Sequence, residues 1–363
     1  MIRVLVISEY KDFHSTRPEA NTFIGLANEG MDVHVMSWPD PRLKSAFIEA
    51  GITVVDWHPE KKFDKKEIKR IRQYIVDHRI EVVHLFNGTA IVNGIQAAKK
   101  TSAKIVLYRG FIGHINWYDP SAYFKYLHPA VDAIMCNAKG VEEYLRKQLI
   151  FGKDKARTIN KGHDIDWYKV EEKRDIREEL GIPQESFLLV NTSNNRRMKG
   201  IPYLLKAFNQ LPAYSPVHLL LIGRGMDDAK NLEIVKQGGK GDKIHFLGFQ
   251  EDVLPIVADC DAFVLSSLWG ESITKAVIEA MSLGVAPIIT DISGNKELVV
   301  DGISGLVTPA RDFKTMAKAI QKLFNDRELC EALGRNAKKH IEQNLNTKQT
   351  IAKLKALYEE LTS

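Results

Sequence analysis

The chain has 363 residues, of which 44% are hydrophobic and 27% are charged, and its formal net charge is +5. This is the composition of an ordinary soluble globular protein, and the length predicts two domains of roughly 150 to 180 residues. The three cysteines are far apart and odd in number, which argues against a disulfide framework or a cysteine metal site. No apolar run reaches the roughly 18 residues of a membrane-spanning helix, so we expect a cytoplasmic protein that is at most peripherally membrane-bound.

The first half of the chain alternates short Val/Ile/Leu runs with helical patterns. We expect strands at residues 4–8, 33–36, 53–56, 82–85, 104–107, 133–136 and 158–160. Helical patterns fall between them at residues 19–29, 65–78, 89–99 and 140–149. Continuously apolar strands separated by helices predict a parallel sheet covered on both faces, with ligands at the carboxyl ends of the strands.

The basic excess lies in this half, and its densest part begins at Lys61 and ends at Arg72. Ile68, Ile71 and Ile75 share one helical face, which favours a helix packed on the core with a solvated cationic face. The alternative is a peripheral contact with anionic lipid or an acidic acceptor.

A polar segment at residues 162–178 interrupts the alternation of strands and helices, and we expect the interdomain linker there. Beyond it we expect strands at residues 187–191, 217–222, 244–247, 262–265 and 286–289, and helices at 201–210 and after Glu271. Three helices close the chain at about residues 313–325, 328–342 and 347–361. The pattern predicts an α/β protein with two doubly wound, Rossmann-like domains facing one another across a cleft. We place them at residues 1–165 and 176–340, with the helix at about 345–363 packing back on the first domain.

Several polar groups follow strands of this scheme. Glu279 lies in an apolar helical run, where a carboxylate is costly unless it has a partner, and the loop-to-helix junction before it suits an anion. The loop at residues 191–200 carries two arginines and a lysine, which fits a diphosphate clamp as well as an ordinary polar loop. In the first domain, Arg109 and His114 follow a strand and suit a sugar or a phosphate, although a lone histidine is more often structural.

The second half resembles the nucleotide-sugar domain of the GT-B glycosyltransferases, in particular the retaining group called family 4. Glu271 and Glu279, separated by seven residues, match the E-x7-E signature of that group. Four further segments fall in the order found in the family, at residues 196–200, 220–225, 259–267 and 295–307. The chain departs from the usual pattern at Ser272, Thr274 and Ala276, where glycine and proline are frequent in the family.

The resemblance implies a role for each part of the motif. Glu271 and the backbone N–H groups of Ser272, Ile273 and Thr274 would hold the hydroxyl groups of the donor sugar. Glu279 would accept hydrogen bonds from the ribose.

The resemblance also implies that Arg196 and Lys199 neutralise the departing nucleoside diphosphate in place of a metal. Arg197 is adjacent, and we favour Arg196 because of its spacing to Lys199. No cofactor and no metal are expected, and the anomeric configuration would be retained. The turn formed by Gly223 and Gly225 would lie along the base.

The acceptor side is less well defined. The Gly-Gly loop common after the first strand of the family is replaced by residues 14–19, and the first-domain histidine of the family corresponds to Arg109 or to His114. The expected substrates are a nucleotide sugar and a glycan or lipid-linked acceptor, with a role in cell-surface polysaccharide or lipopolysaccharide synthesis and no nucleic acid partner. The base, the sugar and the acceptor stay open.

Two other functions are compatible with the same pattern. A GT-B epimerase or hydrolase would release an epimer or free sugar without an acceptor. A non-catalytic sugar-binding or scaffold protein would share the architecture but would have no use for the cationic clamp.

Overall fold

The structure is a computed structural model that describes residues 1–172 and 174–363. All strand pairs are parallel. The strands are β1 (Arg3–Ile7), β2 (Asp32–Ser37), β3 (Thr53–Asp56), β4 (Val82–Leu85), β5 (Lys104–Arg109), β6 (Ala133–Cys136), β7 (Ala156–Thr158), β8 (Phe187–Thr192), β9 (Val217–Ile222), β10 (Ile244–Gly248), β11 (Ala262–Leu265), β12 (Ala286–Thr290) and β13 (Leu306–Thr308).

Helices connect these strands and close the chain. They are α1 (Phe13–Asn28), α2 (Pro41–Glu49), α3 (Lys65–Asp77), α4 (Gly88–Ala98), α5 (Lys139–Gln148), α6 (Ile176–Leu180), α7 (Ile201–Asn209), α8 (Ala229–Gly238), α9 (Leu254–Ala258), α10 (Lys275–Ser282), α11 (Phe313–Asn325), α12 (Arg327–Asn344) and α13 (Thr347–Thr362). Within the described ranges, none is both long enough and apolar enough to cross a membrane.

The chain forms two compact units. Unit 1 comprises Met1–His163 and Leu345–Ser363, and unit 2 comprises Asp164–Asn344. Each unit contains one parallel sheet, with the strand order β3-β2-β1-β4-β5-β6-β7 in unit 1 and β10-β9-β8-β11-β12-β13 in unit 2. The two α/β units confirm the predicted pair of doubly wound domains.

Helix α13 belongs to unit 1 because its apolar stripe is buried there. Leu354, Leu357 and Tyr358 are at most 3% exposed and join the core that includes Phe23 of α1. The two helices approach closely at Gly25, where an added Cβ would lie 2.1 Å from Ile351 Cδ1. A side chain at position 25 would therefore displace the Ile351 side chain.

Several elements differ from the sequence prediction. Helix α1 begins at Phe13 rather than at residue 19, because Asp12 caps it by accepting from Ser15 N at 2.7 Å. Residues 14–18, expected to form a loop, are thus helical and include Pro18. Helices α2, α8 and α9 and strand β13 were not predicted, and β7 lies two residues earlier than expected.

The predicted linker at residues 162–178 contains the change from unit 1 to unit 2, which falls between His163 and Asp164. It also includes the start of α6, and its residue Lys173 lies outside the described residues.

Candidate functional site

Two loops of unit 2 meet where the neighbouring strands β8 and β11 end. The first loop leads from β8 to α7, and the second leads from β11 to α10. Ser266 Oγ donates to the carbonyl of Lys199 at 2.8 Å, and Leu268 N donates to Met198 O at 2.7 Å. Gly200 permits this close approach, since it has φ +68° and an added Cβ would lie 2.1 Å from Ser266 O. The two loops are therefore joined at one edge of the sheet.

An ion pair links the two loops. Lys199 Nζ lies 2.5 Å from Glu271 Oε1, and the two side chains are only 17% and 12% exposed. Ser267 Oγ donates to the same carboxylate oxygen at 3.0 Å. These two contacts hold the carboxylate of Glu271, although this residue lies on a loop.

The two adjacent arginines of the first loop have different surroundings. Arg197 lines a cavity of about 510 Å³ together with Trp269 and Arg311, and its guanidinium lies 5.9 Å from the centre of the Trp269 ring. The Arg196 side chain is exposed, and among the described residues it has no hydrogen-bond or ion-pair partner. Arg196 is therefore the arginine that a ligand can engage without breaking an existing contact.

The amino end of α10 lies directly after Glu271. The first N–H groups of an α-helix lack partners within the helix, and here no side chain caps them. Thr274, the residue before α10, instead donates its hydroxyl to Asn295 Oδ1 at 2.9 Å. This arrangement leaves the N–H groups and the positive end of the helix dipole to an anion.

Two buried polar atoms near this helix end have no partner among the described residues. They are Ser272 Oγ and Asn295 Nδ2, on side chains that are 8% and 0% exposed. Gly294 packs against the backbone of Ser272, so closely that a Cβ there would lie 2.6 Å from the Ser272 carbonyl carbon. Buried polar groups of folded proteins are normally satisfied, so these two atoms indicate a place for a bound ligand or water.

A third loop extends the site along the sheet. Gly223 follows β9, and an added Cβ would lie 1.9 Å from Ser193 O. Asn195 Nδ2 donates to Gly225 O at 2.8 Å. The exposed Arg224 places its guanidinium 4.7 Å from the centre of the exposed Phe249 ring. A flat cation beside an aromatic ring is suited to a planar base.

Two family models match most of the chain. The model described as "Glycosyl transferases group 1" matches residues 172–340, and the one described as "Glycosyltransferase Family 4" matches residues 21–167. The chain is also similar in fold to HepE of Anabaena in complex with UDP, with a TM-score of 0.78 and 18% identity over 99% of this chain and 100% of that one. The chain belongs to the GT-B glycosyltransferases.

Two curated proteins are similar to this glycosyltransferase in sequence. N-acetyl-alpha-D-glucosaminyl L-malate synthase of Bacillus anthracis is 28% identical over 51% of this chain and 49% of its own length. The match thus spans about half of that relative. UDP-Gal:alpha-D-GlcNAc-diphosphoundecaprenol alpha-1,3-galactosyltransferase of Escherichia coli is 25% identical over 76% of this chain and 68% of its own length.

Glu279 of the glycosyltransferase has a partner on its own helix. Its side chain is buried, and Oε1 forms an ion pair with Lys275, one turn earlier in α10. The Lys275 ammonium lies 5.9 Å from the centre of the Tyr168 ring. The sequence correctly indicated that this carboxylate needs a partner, and Lys275 supplies one.

The two candidate residues of unit 1, Arg109 and His114, differ in their contacts within the protein. Arg109 is 5% exposed, and its guanidinium donates to the carbonyls of Phe111, at 2.8 Å from Nε, and of Gly113. It also stacks on the Phe111 ring, 3.6 Å from its centre. His114 is exposed on the same loop with φ +60°. Arg109 thus shapes the loop that presents His114.

Unit 2 brings together Lys199, Glu271 and the residues that lead into α10. Sequence reasoning did not single out Ser267 or the side chain of Asn295. Both lie within segments recognised by their family order, but nothing in one sequence shows that Asn295 is fully buried with an unpaired amide nitrogen.

Proposed function

We propose that the glycosyltransferase moves a sugar from a nucleoside diphosphate sugar to a hydroxyl of a glycan or lipid-linked acceptor, with retention of the anomeric configuration and without a metal. A role in cell-surface polysaccharide or lipopolysaccharide synthesis follows from this proposal. The observation that carries it is the convergence of Lys199, Glu271 and the uncapped amino end of α10 at the carboxyl edge of one sheet.

This convergence fits the chemistry of breaking a glycosyl phosphate bond. As the bond from the anomeric carbon to the phosphate oxygen breaks, negative charge grows on the diphosphate, and fixed positive groups stabilise it. Lys199 and the N–H groups of α10 supply such charge on rigid elements. Arg196 would add a bidentate contact to the diphosphate.

The ion pair between Lys199 and Glu271 has a further role in this scheme. Without a ligand, the ammonium of Lys199 and the carboxylate of Glu271 pair with each other, and both side chains are largely shielded from solvent. When the donor binds, the diphosphate attracts Lys199 and the sugar hydroxyl groups donate to Glu271. The pair therefore keeps both groups ordered in advance, which reduces the entropy lost on binding.

Glu279 is proposed to hold the ribose. One of its oxygens is engaged by Lys275, and a carboxylate has further acceptor sites for hydroxyl groups. The base would lie at Gly223 and Gly225, near Arg224 and Phe249. The complex of HepE with UDP supports a uridine nucleotide as the first donor to test.

Retention is proposed from the likeness of the motif to family 4. The acceptor hydroxyl would attack the anomeric carbon from the face that the diphosphate leaves, and the leaving phosphate oxygen would take the hydroxyl proton. The name of the Escherichia coli relative, which includes a diphosphoundecaprenol, supports a lipid-linked acceptor. In unit 1, we propose His114 as the substrate contact, because Arg109 is occupied by its own loop.

The test is a thermal-shift series with UDP, GDP and ADP in the presence of EDTA, since a ligand that binds only the folded state raises the melting temperature. We expect one nucleotide to stabilise the wild type and to lose most of this effect in Arg196→Ala. Arg197→Ala is the matched control and should respond like the wild type. Proton NMR of the product then reports the anomeric configuration. No shift with any nucleotide, or an inverted product, would contradict the proposal.

A further inference from the structure

A cavity of unit 2 lies beside the two loops that carry Lys199 and Glu271, but neither of these residues lines it. We call it the Trp269 cavity, and its volume of about 510 Å³ is that of a small-molecule site. The loops after β8, β11 and β13 and the first turns of α7 and α8 form its walls. Its lining includes Arg197, Tyr203, Lys230, Asn231, Trp269 and Arg311.

Three cations of the Trp269 cavity have no acidic partner. Arg197, Lys230 and Arg311 are exposed, and within the described part of the chain their side chains form neither an ion pair nor a hydrogen bond. The carboxylate among the lining residues, Asp228, already accepts hydrogen bonds from two neighbouring N–H groups. The cavity therefore has an excess of positive charge, which favours an anionic ligand.

An exposed aromatic ring lies close to two of these cations. Trp269 is 41% exposed, and the guanidinium carbons of Arg197 and Arg311 lie 5.9 Å and 5.7 Å from its ring centre. A flat aromatic face offers apolar area on which the C–H face of a sugar ring can pack. A guanidinium binds a carboxylate or a phosphate through two parallel hydrogen bonds. The combination fits a sugar that carries an anionic group.

A buried acceptor without a partner lies in the wall of the same cavity. Asn231 is 0% exposed, and its Nδ2 donates to Met226 O at 2.8 Å. Its Oδ1 has no hydrogen-bond partner among the described residues. Because buried polar groups are normally satisfied, we expect a donor here, which is a hydroxyl group of the ligand or a water that bridges to it.

A cluster of cations alone does not mark such a site, as helix α3 shows. The segment from Lys61 to Arg72 is denser in charge, but Ile71 and Ile75 on its apolar face are 0% and 2% exposed. This burial confirms the core-packed interpretation of that segment. The Trp269 cavity differs because its cations line a concave space beside an exposed aromatic ring.

We propose that the Trp269 cavity binds an anionic sugar, which is a monosaccharide unit that carries a carboxylate or a phosphate. The sugar ring packs on Trp269, Arg197 and Arg311 bind the anionic group, and Lys230 adds a further positive charge. Because Lys199 and Glu271 do not line the cavity, a nucleotide and the anionic sugar can bind at the same time. The proposal therefore stands independently of the proposed donor chemistry.

Titration of the full chain with three sugars tests the proposal. Glucose, glucuronate and glucose 6-phosphate share one ring and differ in the group at carbon 6, and isothermal titration calorimetry measures the dissociation constant of each. We expect one of the two charged sugars to bind about tenfold more tightly than glucose or better, and the tighter one identifies the anionic group. The tryptophan fluorescence should change on binding in the wild type but not in Trp269→Phe.

Arg311→Asn removes one of the proposed anion contacts and should weaken binding of the charged sugar roughly tenfold or more. Arg311 has φ +68°, and asparagine adopts this left-handed backbone more readily than arginine, so the substitution adds no strain. Arg79→Asn is the matched control and should bind like the wild type. Arg79 is likewise an exposed arginine with positive φ, +51°, but it lies in unit 1.

The variants also separate the Trp269 cavity from the donor site. Arg311→Asn should keep the nucleotide-induced thermal shift, and Arg196→Ala should keep the affinity for the charged sugar. Competition between UDP and the charged sugar, equal affinities of the wild type and Arg311→Asn, or charged sugars that bind no better than glucose would each overturn the proposal. A chain that binds the charged sugar but no nucleotide would contradict the proposed donor alone.

Discussion

Replacing Lys199 by methionine keeps most of the length of the side chain and removes its charge. The structure gives two separate consequences. Lys199 and Glu271 lie 2.5 Å apart and are less than one fifth exposed, so their contact is far from a solvated surface pair, which contributes about 0–1 kcal/mol. Leaving Glu271 unpaired should lower the free energy of unfolding by about 1–3 kcal/mol, the usual cost of an unsatisfied buried polar group.

The effect on the reaction should be larger. In the proposed mechanism Lys199 faces the charge that grows on the leaving diphosphate, and loss of one such fixed donor lowers kcat by about 10² to 10³-fold. Initial rates with saturating donor measure kcat, and denaturant titration measures the free energy of unfolding. Arg197→Met is the control, since that residue contacts Trp269 rather than Glu271.

A double variant separates the two effects. In Lys199→Met/Glu271→Gln the uncompensated carboxylate is gone, so most of the lost stability should return while kcat stays low. A kcat for Lys199→Met within threefold of the wild type would refute the assigned role. It would leave Lys199 as a residue that only orders the loop.

Two further predictions concern backbone packing and pH. Gly294→Ala should abolish the nucleotide-induced thermal shift, because its Cβ would lie 2.6 Å from the Ser272 carbonyl carbon. Gly30→Ala is the control and should retain the shift, because Gly30 has φ +90° and open space around it. An unchanged shift in Gly294→Ala would show that this loop is not part of the site. Burial lowers the pKa of His84 to about 3, and its Nδ1 lies 2.6 Å from the Tyr358 hydroxyl. In the unfolded chain His84 therefore binds a proton near pH 6.5, whereas in the folded chain it stays neutral. The free energy of unfolding decreases as the pH falls below 6.5, by about 1.2 kcal/mol between pH 6 and 5. Denaturant titrations at these two pH values should show a smaller loss in His84→Gln, and an equal loss would exclude His84 as the cause.

The fold was largely predictable because each buried strand is a continuous apolar run between helical patterns. Helix α2 was missed although its signal is present, since Asp40 caps it and Pro41 occupies the first helical position. The start of α1 was misplaced because Pro18 suggests a helix boundary. In the structure Asp12 caps the helix, which begins at Phe13 rather than at residue 19.

The candidate site was predictable only as a set of loops. The E-x7-E spacing and the cations after β8 identified the segments that form the site. The pairing of Lys199 with Glu271 was not predictable, because the two residues lie on different loops that are far apart in the sequence. The contact of Glu279 with Lys275 could have been expected from their spacing of four residues on one helix. The distinct surroundings of Arg196 and Arg197, and of Arg109 and His114, depend on packing that a single sequence does not contain.

The return of α13 to unit 1 has a consequence for the order of folding. Unit 2 is one continuous stretch of sequence, and the two segments of unit 1 that flank it in sequence are joined by a hydrogen bond from His163 N to Leu345 O at 2.7 Å. Unit 1 needs Leu354 and Tyr358 for its core, and these residues leave the ribosome after all of unit 2. Protein synthesis therefore completes the core of unit 2 first, although unit 1 is begun first, and the growing chain must keep the sheet of unit 1 partly uncovered until its last helix arrives.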